Sequence, residues 1–159
     1  MEYQELINKI LRLLENTKYI ILATANKKGI VSASKMCMVN DGLKIYIQTD
    51  IRFEKIQNIK ENENVAINID AVYFKGIAKI IGHPSANRMF VEKMKEKHFE
   101  TYENYTNLPN QVLIEIELTE CRIWKFEVIN GKREEIIKII NLSNKSINNV
   151  ICDKLKEGY

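Results

Sequence analysis

Two lysines and one hydroxyl lie at positions from which they could bind an anion together. The stretch VSASKMCMVN (31–40) has the alternation of a strand, and Lys35 shares a face there with small and apolar residues. On a partly buried face, an ammonium group is costly unless it reaches water or a fixed anion. Thr49 ends the next predicted strand, and Lys55 lies one turn into the helix that follows.

A hairpin between the two strands would bring Lys35 close to Thr49 and to the start of this helix, where free backbone N–H groups favour an anion. With Arg52 nearby, these groups predict a pocket for a phosphate monoester, and a cofactor is the expected ligand. The alternative is structural: Lys35 can extend to water from an edge strand, and Arg52 and Lys55 can lie on a solvated helix face. Spacing alone does not decide between the two, since structural ion pairs imitate functional sites.

The elements that must position these groups follow from periodicity and turn residues. The predicted order is a helix, three strands, a short helix, two strands, a helix, two strands and a helical tail. The first helix ends near Glu15, and Asp50 is placed to cap the short helix. The predicted strands are 19–24, 31–40, 43–49, 65–70, 73–81, 111–118 and 121–129, and the later helices are 53–61, 86–99, 134–140 and 146–156.

Consecutive hairpins predict a mainly β fold of antiparallel strands with flanking helices. Closing such a sheet on itself removes its exposed edges, so a small barrel is the expected architecture. We expect one domain over residues 1–159, with an N-terminal helix in 1–16, the barrel in 19–130 and a helical tail in 131–159.

Composition limits the class of protein. With 159 residues, 45% of them hydrophobic and 28% charged, the chain can form one globular domain with its own core. No apolar run approaches the roughly 20 residues that span a bilayer, and the acidic start is unlike a secretion signal, so we expect a cytoplasmic protein. With a net charge of only +3, the chain lacks the strongly basic composition that is typical of nucleic-acid-binding domains. Three widely spaced cysteines and two histidines indicate neither a disulfide framework nor a metal site.

The run ATANKKGIVSASKMCMVNDGLKIYIQTDIRFEKIQNIKENENVAINI (23–69) resembles a known family, and the similarity continues through KGIAKIIGHP (75–84) and LIEIELTECRIWKF (113–126). These stretches look like the pyridoxamine 5′-phosphate oxidase-like FMN-binding split barrels, which include general-stress flavoproteins and nitroimidazole-resistance reductases. The resemblance covers about 19–130. It implies an antiparallel split β-barrel that binds FMN, and a homodimer with the cofactor at the subunit interface.

Carried over position by position, the resemblance also implies the residues that contact FMN. They are Lys35, Met36, Cys37 and Met38 on the second strand, Gln48 and Thr49 at the end of the next long strand, Lys55 in the short helix and Trp124 on the final strand. The chain departs from the family's oxidases at Phe53 and Glu54, where they carry serine and arginine, and at Asn40, where a lysine is common. Residues that read pyridoxamine are not found in the C-terminal part, so vitamin B6 synthesis is not expected.

The resulting prediction is an FMN-dependent oxidoreductase that reduces or oxidises a small organic substrate, with NADH, NADPH or another compound as electron donor. The sequence has no GxGxxG fingerprint, so a nicotinamide would bind transiently over the flavin. No catalytic acid or base is assigned: His98 is interpreted as a helix-end residue, His83 as a turn residue and Cys37 as a packed side chain.

Two other functions stay open at this point. A carrier or sensor could bind flavin or haem in the same pocket without turnover. A nucleic-acid-binding barrel is less expected, because Tyr46, Tyr73, Phe74 and Trp124 are not grouped with a basic stripe.

Overall fold

Within residues 2–153, which the computed structural model describes, nine strands pair into one antiparallel sheet. Its strands are β1 (Tyr19–Ala25), β2 (Val31–Cys37), β3 (Val39–Asp41), β4 (Lys44–Asp50), β5 (Asn64–Ile69), β6 (Val72–Ile80), β7 (Gln111–Ile129), β8 (Lys132–Asn141) and β9 (Ser146–Ile151). The predicted antiparallel architecture with flanking helices is confirmed. That the whole chain forms one domain stays a prediction.

Four α-helices, one 3₁₀ turn and one π-helical turn precede β9 and flank this sheet within the described part of the chain. They are α1 (Glu2–Asn16), α2 (Glu54–Glu61), a 3₁₀ turn (Pro84–Ala86), α3 (Arg88–Lys97), α4 (Phe99–Thr101) and a π-helical turn (Tyr102–Thr106). None of these described helices is long and apolar enough to cross a membrane.

The strand order brings the two ends of the sheet close together. Along the sheet the order is β2-β1-β5-β6-β7-β4-β3, so that β2 and β3, which are consecutive in the chain, lie at opposite ends of the path. Only Met38 separates these two strands, and β2 also approaches β4. The sheet therefore curls on itself, with an opening between β2 and β4.

The main core fills the inside of this curled sheet. Helix α1 contributes Leu6, Ile7, Ile10 and Leu14, which recur at helical spacing on one face. Every second residue of the facing strands packs against them, including Ile20 and Leu22 on β1, Ile45 and Ile47 on β4, Ile67 on β5, Phe74 on β6, and Ile114 and Ile116 on β7. This core holds β2 and β4 in fixed positions.

A smaller apolar cluster covers the other face of β4. Phe90 and Met94 of α3 pack there against Val39, Tyr46 and Leu113. As a result, five consecutive residues in β4, 45–49, are buried on both faces of the strand. The end of β4, where Gln48 and Thr49 lie, is thus enclosed on both sides.

Strand β7 is longer than the sequence predicts. The segments 111–118 and 121–129 join into one strand, with a bulge at Thr119 where the partner register shifts between Lys75 and Gly76. A Cβ atom on Gly76 would lie 2.7 Å from Ile116 Cγ2 and 2.9 Å from the Glu117 carbonyl oxygen. Gly76 therefore permits the close approach of β6 and β7 at the bulge.

The predicted helical tail is wrong through residue 151. In place of helices at 134–140 and 146–151, the chain forms β8 and β9. Residues 152–153 are helical, and residues 154–156 lie outside the described residues. From residue 136 onward, every second side chain of β8 is buried: Ile136, Lys138 and Ile140. The sequence hides this period of two, because isoleucines also occupy the positions between them. Branching at Cβ also favours a strand.

The pairing of β8 with β7 explains why the tail adopts strands. Beyond Ile123, β7 has no contact with β6, and β8 supplies its hydrogen-bonding partner through to Ile129. Asn130 and Gly131 form the connecting hairpin, with φ of 51° and 77°.

Candidate functional site

A groove of about 300 Å³ opens where β2, the end of β4, α2 and the segment 99–106 meet. Six of the eight residues at which the resemblance implies FMN contacts line this groove: Lys35, Met36, Cys37, Gln48, Thr49 and Lys55. The curl of the sheet brings them together from three elements that are separate in the sequence.

Helix α2 is anchored by a buried asparagine. Asn58 Nδ2 donates hydrogen bonds to Thr24 Oγ1 at 3.0 Å and to Ser32 Oγ at 3.4 Å, and these hydroxyls belong to β1 and β2. Ile56 and Ile59 are buried on the same helix. These contacts fix the position of Lys55 beside β2.

Lys55 is partly buried, and burial lowers the pKa of its ammonium group. Its Nζ lies 5.1 Å from the centre of the Phe53 ring. None of the ion pairs within residues 2–153 includes Lys55. An anion in the groove would therefore meet a cation that is not already held in an ion pair with a described residue.

Lys35 is exposed, together with Val31 and Ala33 on the same face of β2. The expectation of a partly buried face is therefore wrong for the single chain. The Lys35 ammonium lies 4.4 Å from the centre of the Tyr19 ring, a favourable cation–π arrangement. No carboxylate within the described residues forms an ion pair with it.

Arg52 is held by Asp50 at the edge of the groove. Arg52 Nη2 and Nε donate to the two carboxylate oxygens at 2.6 and 2.9 Å, and the Arg52 backbone N–H donates to the same carboxylate. These bonds lower the pKa of Asp50 to about 2. The prediction that Asp50 caps α2 is therefore wrong. The N-cap residue is Phe53, whose side chain accepts no capping hydrogen bond.

Gln48 and Thr49 are both buried at the end of β4. Gln48 Oε1 accepts a hydrogen bond from Thr106 Oγ1 at 2.8 Å. Gln48 Nε2 is buried and has no hydrogen-bond partner among the described residues. The groove therefore has an unpaired polar donor in its wall.

The sulfur-containing residues of β2 are only partly arranged as predicted. Met36 is half-buried at the groove, and Cys37 Sγ lies 3.8 Å from Thr101 Oγ1. Met38 does not line the groove: it is fully buried in the main core, with its sulfur 3.6 Å from Lys97 Nζ. Its position at the break between β2 and β3 turns its side chain into the core, and its predicted contact with FMN stays a prediction.

Trp124 also lies outside this groove. It is on the part of β7 that pairs with β8, where its Nε1 donates to Glu135 Oε1 at 2.7 Å. The indole packs edge-on against Phe126, with ring centres 5.3 Å apart, and is 45% exposed. Trp124 therefore does not line this groove, and its predicted contact with FMN stays a prediction.

The two histidines do not line the groove. His83 is a turn residue, as predicted: its ring nitrogens lie 2.7 Å from Ser85 Oγ and 2.7 Å from the Leu108 carbonyl oxygen. His98 ends α3 and is buried, with Nε2 3.0 Å from the Met38 carbonyl oxygen. Burial is the main cause that lowers the His98 pKa.

The sequence analysis missed one wall of the groove. Thr101 and Tyr105 line it, and Thr106 is fully buried behind it. They lie in a segment predicted to be a plain connector, which forms α4 and the π-helical turn. No periodicity marks this segment; the run TYENYT, with its hydroxyl groups and aromatic rings, is the one available signal.

The sequence and fold of this chain match a known family. The family model for pyridoxamine 5′-phosphate oxidase matches residues 6–125, and the chain belongs to this family. Among curated proteins, none is detectably similar to this chain in sequence.

Solved structures with the same fold carry different names. General stress protein 26 of Bacillus anthracis is 18% identical, with 92% of this chain and 99% of that chain covered and a TM-score of 0.59. A pyridoxamine 5′-phosphate oxidase-related, FMN-binding protein of Nostoc punctiforme is 12% identical, with 95% and 97% covered and a TM-score of 0.58. HutZ, the heme storage protein of Vibrio cholerae, is 15% identical, with 70% and 88% covered and a TM-score of 0.59. At these identities the similarity shows the fold alone, and the predicted split barrel is confirmed.

Proposed function

We propose that this chain binds FMN in the groove and acts, as a homodimer, as an FMN-dependent oxidoreductase on a small organic substrate. The observation that carries the proposal is the groove itself. It collects Lys35, Met36, Cys37, Gln48, Thr49 and Lys55, and these are the positions at which the family resemblance implies flavin contacts.

The cations support binding of a phosphate monoester. Lys55 is partly desolvated and has no carboxylate partner among the described residues. Charge-assisted hydrogen bonds to phosphate are about twice as strong as neutral ones. The first turn of α2, which no side chain caps, adds N–H groups and the positive end of the helix dipole. Arg52 contributes little, because Asp50 already neutralises it.

The rest of the groove suits an aromatic heterocycle. The polarizable sulfur atoms of Met36 and Cys37 favour contact with a ring. The unpaired Gln48 amide offers a hydrogen-bond donor within the same wall. The residues present therefore fit both the charged and the planar part of FMN.

The chain's own residues have a limited part in the chemistry. Bound FMN would supply hydride or electron exchange. The groove residues would orient it and exclude water, and none of them is assigned as a catalytic acid or base. NADH or NADPH is the proposed electron donor. Vitamin B6 oxidation is not proposed, because residues that read pyridoxamine are not found in the C-terminal part of the sequence.

An apolar outer face supports the homodimer. The strand register places Ile21, Tyr73 and Arg122 in one row across the sheet, with Lys35 and Trp124 on the same face. Exposed apolar side chains on this face are Tyr19, Ile21, Val31, Tyr73, Trp124, Phe126 and Val128. An exposed apolar surface of this extent is typical of an interaction site. A second copy of the chain would cover this face. The predicted contact of Trp124 with FMN would then be a contact with FMN bound in the groove of the other subunit.

The absorption spectrum of the purified protein tests the proposal. We expect the two bands of bound oxidised flavin, and we expect them to bleach within seconds when NADH or NADPH is added without oxygen. The same preparation should sediment with the mass of a dimer. A colourless protein that does not bind added FMN would contradict the proposed cofactor, and a monomer at micromolar concentration would contradict the proposed assembly.

A carrier or sensor without turnover would use the same groove. Persistent yellow colour after NADH or NADPH addition would favour such a role or a different donor, and an intense Soret band would indicate haem. Neither of the chain's two histidines lines the groove, so no histidine in this chain's groove would ligate haem iron.

A further inference from the structure

The Gln48 side-chain amide has one paired end and one unpaired end. Its Oε1 accepts from Thr106 Oγ1 at 2.8 Å, whereas Nε2 has no partner. Among the buried side-chain nitrogen and oxygen atoms of residues 2–153, Gln48 Nε2 alone is unpaired. Gln48 is only 8% exposed, and leaving a buried donor unpaired is destabilising. A bound ligand with an acceptor atom would remove this cost.

Thr106 is placed so that it can fix the direction of this amide. It is fully buried at the end of the π-helical turn, a rare conformation that often occurs at functional sites. Its branched side chain has restricted rotamers. Thr101 and Tyr105, from the same segment, line the groove. The segment thus forms one wall and also orients Gln48 in the adjacent strand.

We propose that Thr106 is a positioning residue, whose hydroxyl holds the Gln48 amide so that Nε2 donates to an acceptor atom of the ligand in the groove. The inference rests on the proposed function, because it takes FMN to be that ligand. Gln48 pairs across the sheet with the buried Leu113. An uncharged acceptor therefore fits this position better than a phosphate oxygen, and the amide would recognise a carbonyl oxygen or ring nitrogen of the heterocycle.

Three single substitutions and one double variant, Gln48→Met with Thr106→Val, test this inference. Thr106→Val keeps the shape and removes the hydroxyl, Thr106→Ser keeps the hydroxyl, and Gln48→Met keeps the length and removes the amide. The Kd of FMN is measured by flavin fluorescence, and the stability of the FMN-free protein by urea unfolding.

We expect Gln48→Met and Thr106→Val each to weaken FMN about five- to tenfold, the loss of one hydrogen bond. The double variant should bind no more weakly than Gln48→Met, because the two residues act through the same bond to the ligand. Thr106→Ser should bind FMN like the wild type. In the wild type, FMN should shift the side-chain amide resonance of Gln48, a result that does not depend on any variant folding.

Different failures have different meanings. If Thr106→Val lowers stability but leaves the Kd unchanged, or if the two losses add in the double variant, the hydroxyl only ties the turn to β4 and the inference is wrong. An unmoved Gln48 amide resonance in FMN-saturated wild type also overturns it. If the wild type does not bind FMN at all, the proposed function fails and the inference falls with it.

Discussion

Lys35 and Lys55 reach the groove in different ways. Lys55 is fixed by the anchored helix α2 and is partly desolvated, so it can bind an anion without a large rearrangement. Lys35 is exposed and stacked on Tyr19, which leaves it free to turn towards a ligand or a second subunit. Of the two, Lys55 should therefore contribute more to recognition of a phosphate in a single chain.

His98 should make the stability of the protein depend on pH. Its pKa in the folded state lies below the ordinary value of 6.5, mainly because it is buried. As the pH falls below 6.5, the unfolded chain takes up a proton more readily than the folded protein, so the free energy of unfolding decreases until the pH passes below the folded-state pKa. Urea unfolding of the wild type at a series of pH values would show this loss.

His98→Gln removes the titration but keeps a side-chain N–H that can donate to the Met38 carbonyl. We expect the loss of stability below pH 6.5 to be smaller in this variant than in the wild type. His83→Gln, on the surface turn, is the matched control. An acid loss of equal size in the wild type and in His98→Gln would show that His98 is not its cause.

How well the sequence places residues together depends on where each lies in its element. Lys35, Thr49 and Lys55 were expected to lie near one another because of a hairpin between their strands and the start of the next helix. In the structure β2 pairs with β1 instead, and the curl of the sheet brings Lys35 towards the end of β4. The sequence did not reveal that the break between β2 and β3 turns the side chain of Met38 into the core and away from the groove. Thr106 was missed because its bond to Gln48 joins residues that are 58 positions apart, which no local pattern reveals.

The helices and strands differ in how clearly the sequence marks them. Alternation and turn residues located the β segments up to residue 129, although the predicted strand 31–40 forms two strands, β2 and β3, and the predicted strands 111–118 and 121–129 form one, β7. The segment after Asn130 was predicted to be helical and forms β8 and β9. Four isoleucines within Ile136–Ile140 fit either period, so the sequence alone was ambiguous there. Pairing with the free side of β7 decides in favour of strands, and this tertiary contact is not visible in local sequence.

Gly76→Ala should destabilise the close contact between β6 and β7. The added methyl group would meet Ile116 Cγ2 at 2.7 Å and the Glu117 carbonyl oxygen at 2.9 Å, and neither atom belongs to a flexible side chain. We expect a loss of about 1–3 kcal/mol in the free energy of unfolding, the usual cost of overpacking. Lys79→Ala, an exposed position on the same strand, is the control. Equal stability of the two variants in urea unfolding would show that the strands separate at no cost.

In the molecule as a whole, the groove and the apolar outer face meet at β2, where Lys35 belongs to both. Lys35 lies on that outer face with Ile21. The side chain of Met36, the next residue, points to the opposite face of the strand and packs against the core. A second subunit that covered the outer face would also enclose the end of the groove near Lys35. Dimerisation and cofactor binding are therefore expected to be coupled, as in the homodimer that we propose.

The most direct test of the account compares FMN with riboflavin, which lacks the phosphate. Lys55→Met should weaken FMN binding by about 1.5–3 kcal/mol, roughly ten- to a hundredfold in Kd, because it removes a charge-assisted bond. Riboflavin should bind the variant and the wild type equally. Lys60→Met, at an exposed position on the same helix, should change neither Kd. An unchanged FMN affinity in Lys55→Met, or an equal loss for riboflavin, would contradict phosphate recognition in this groove.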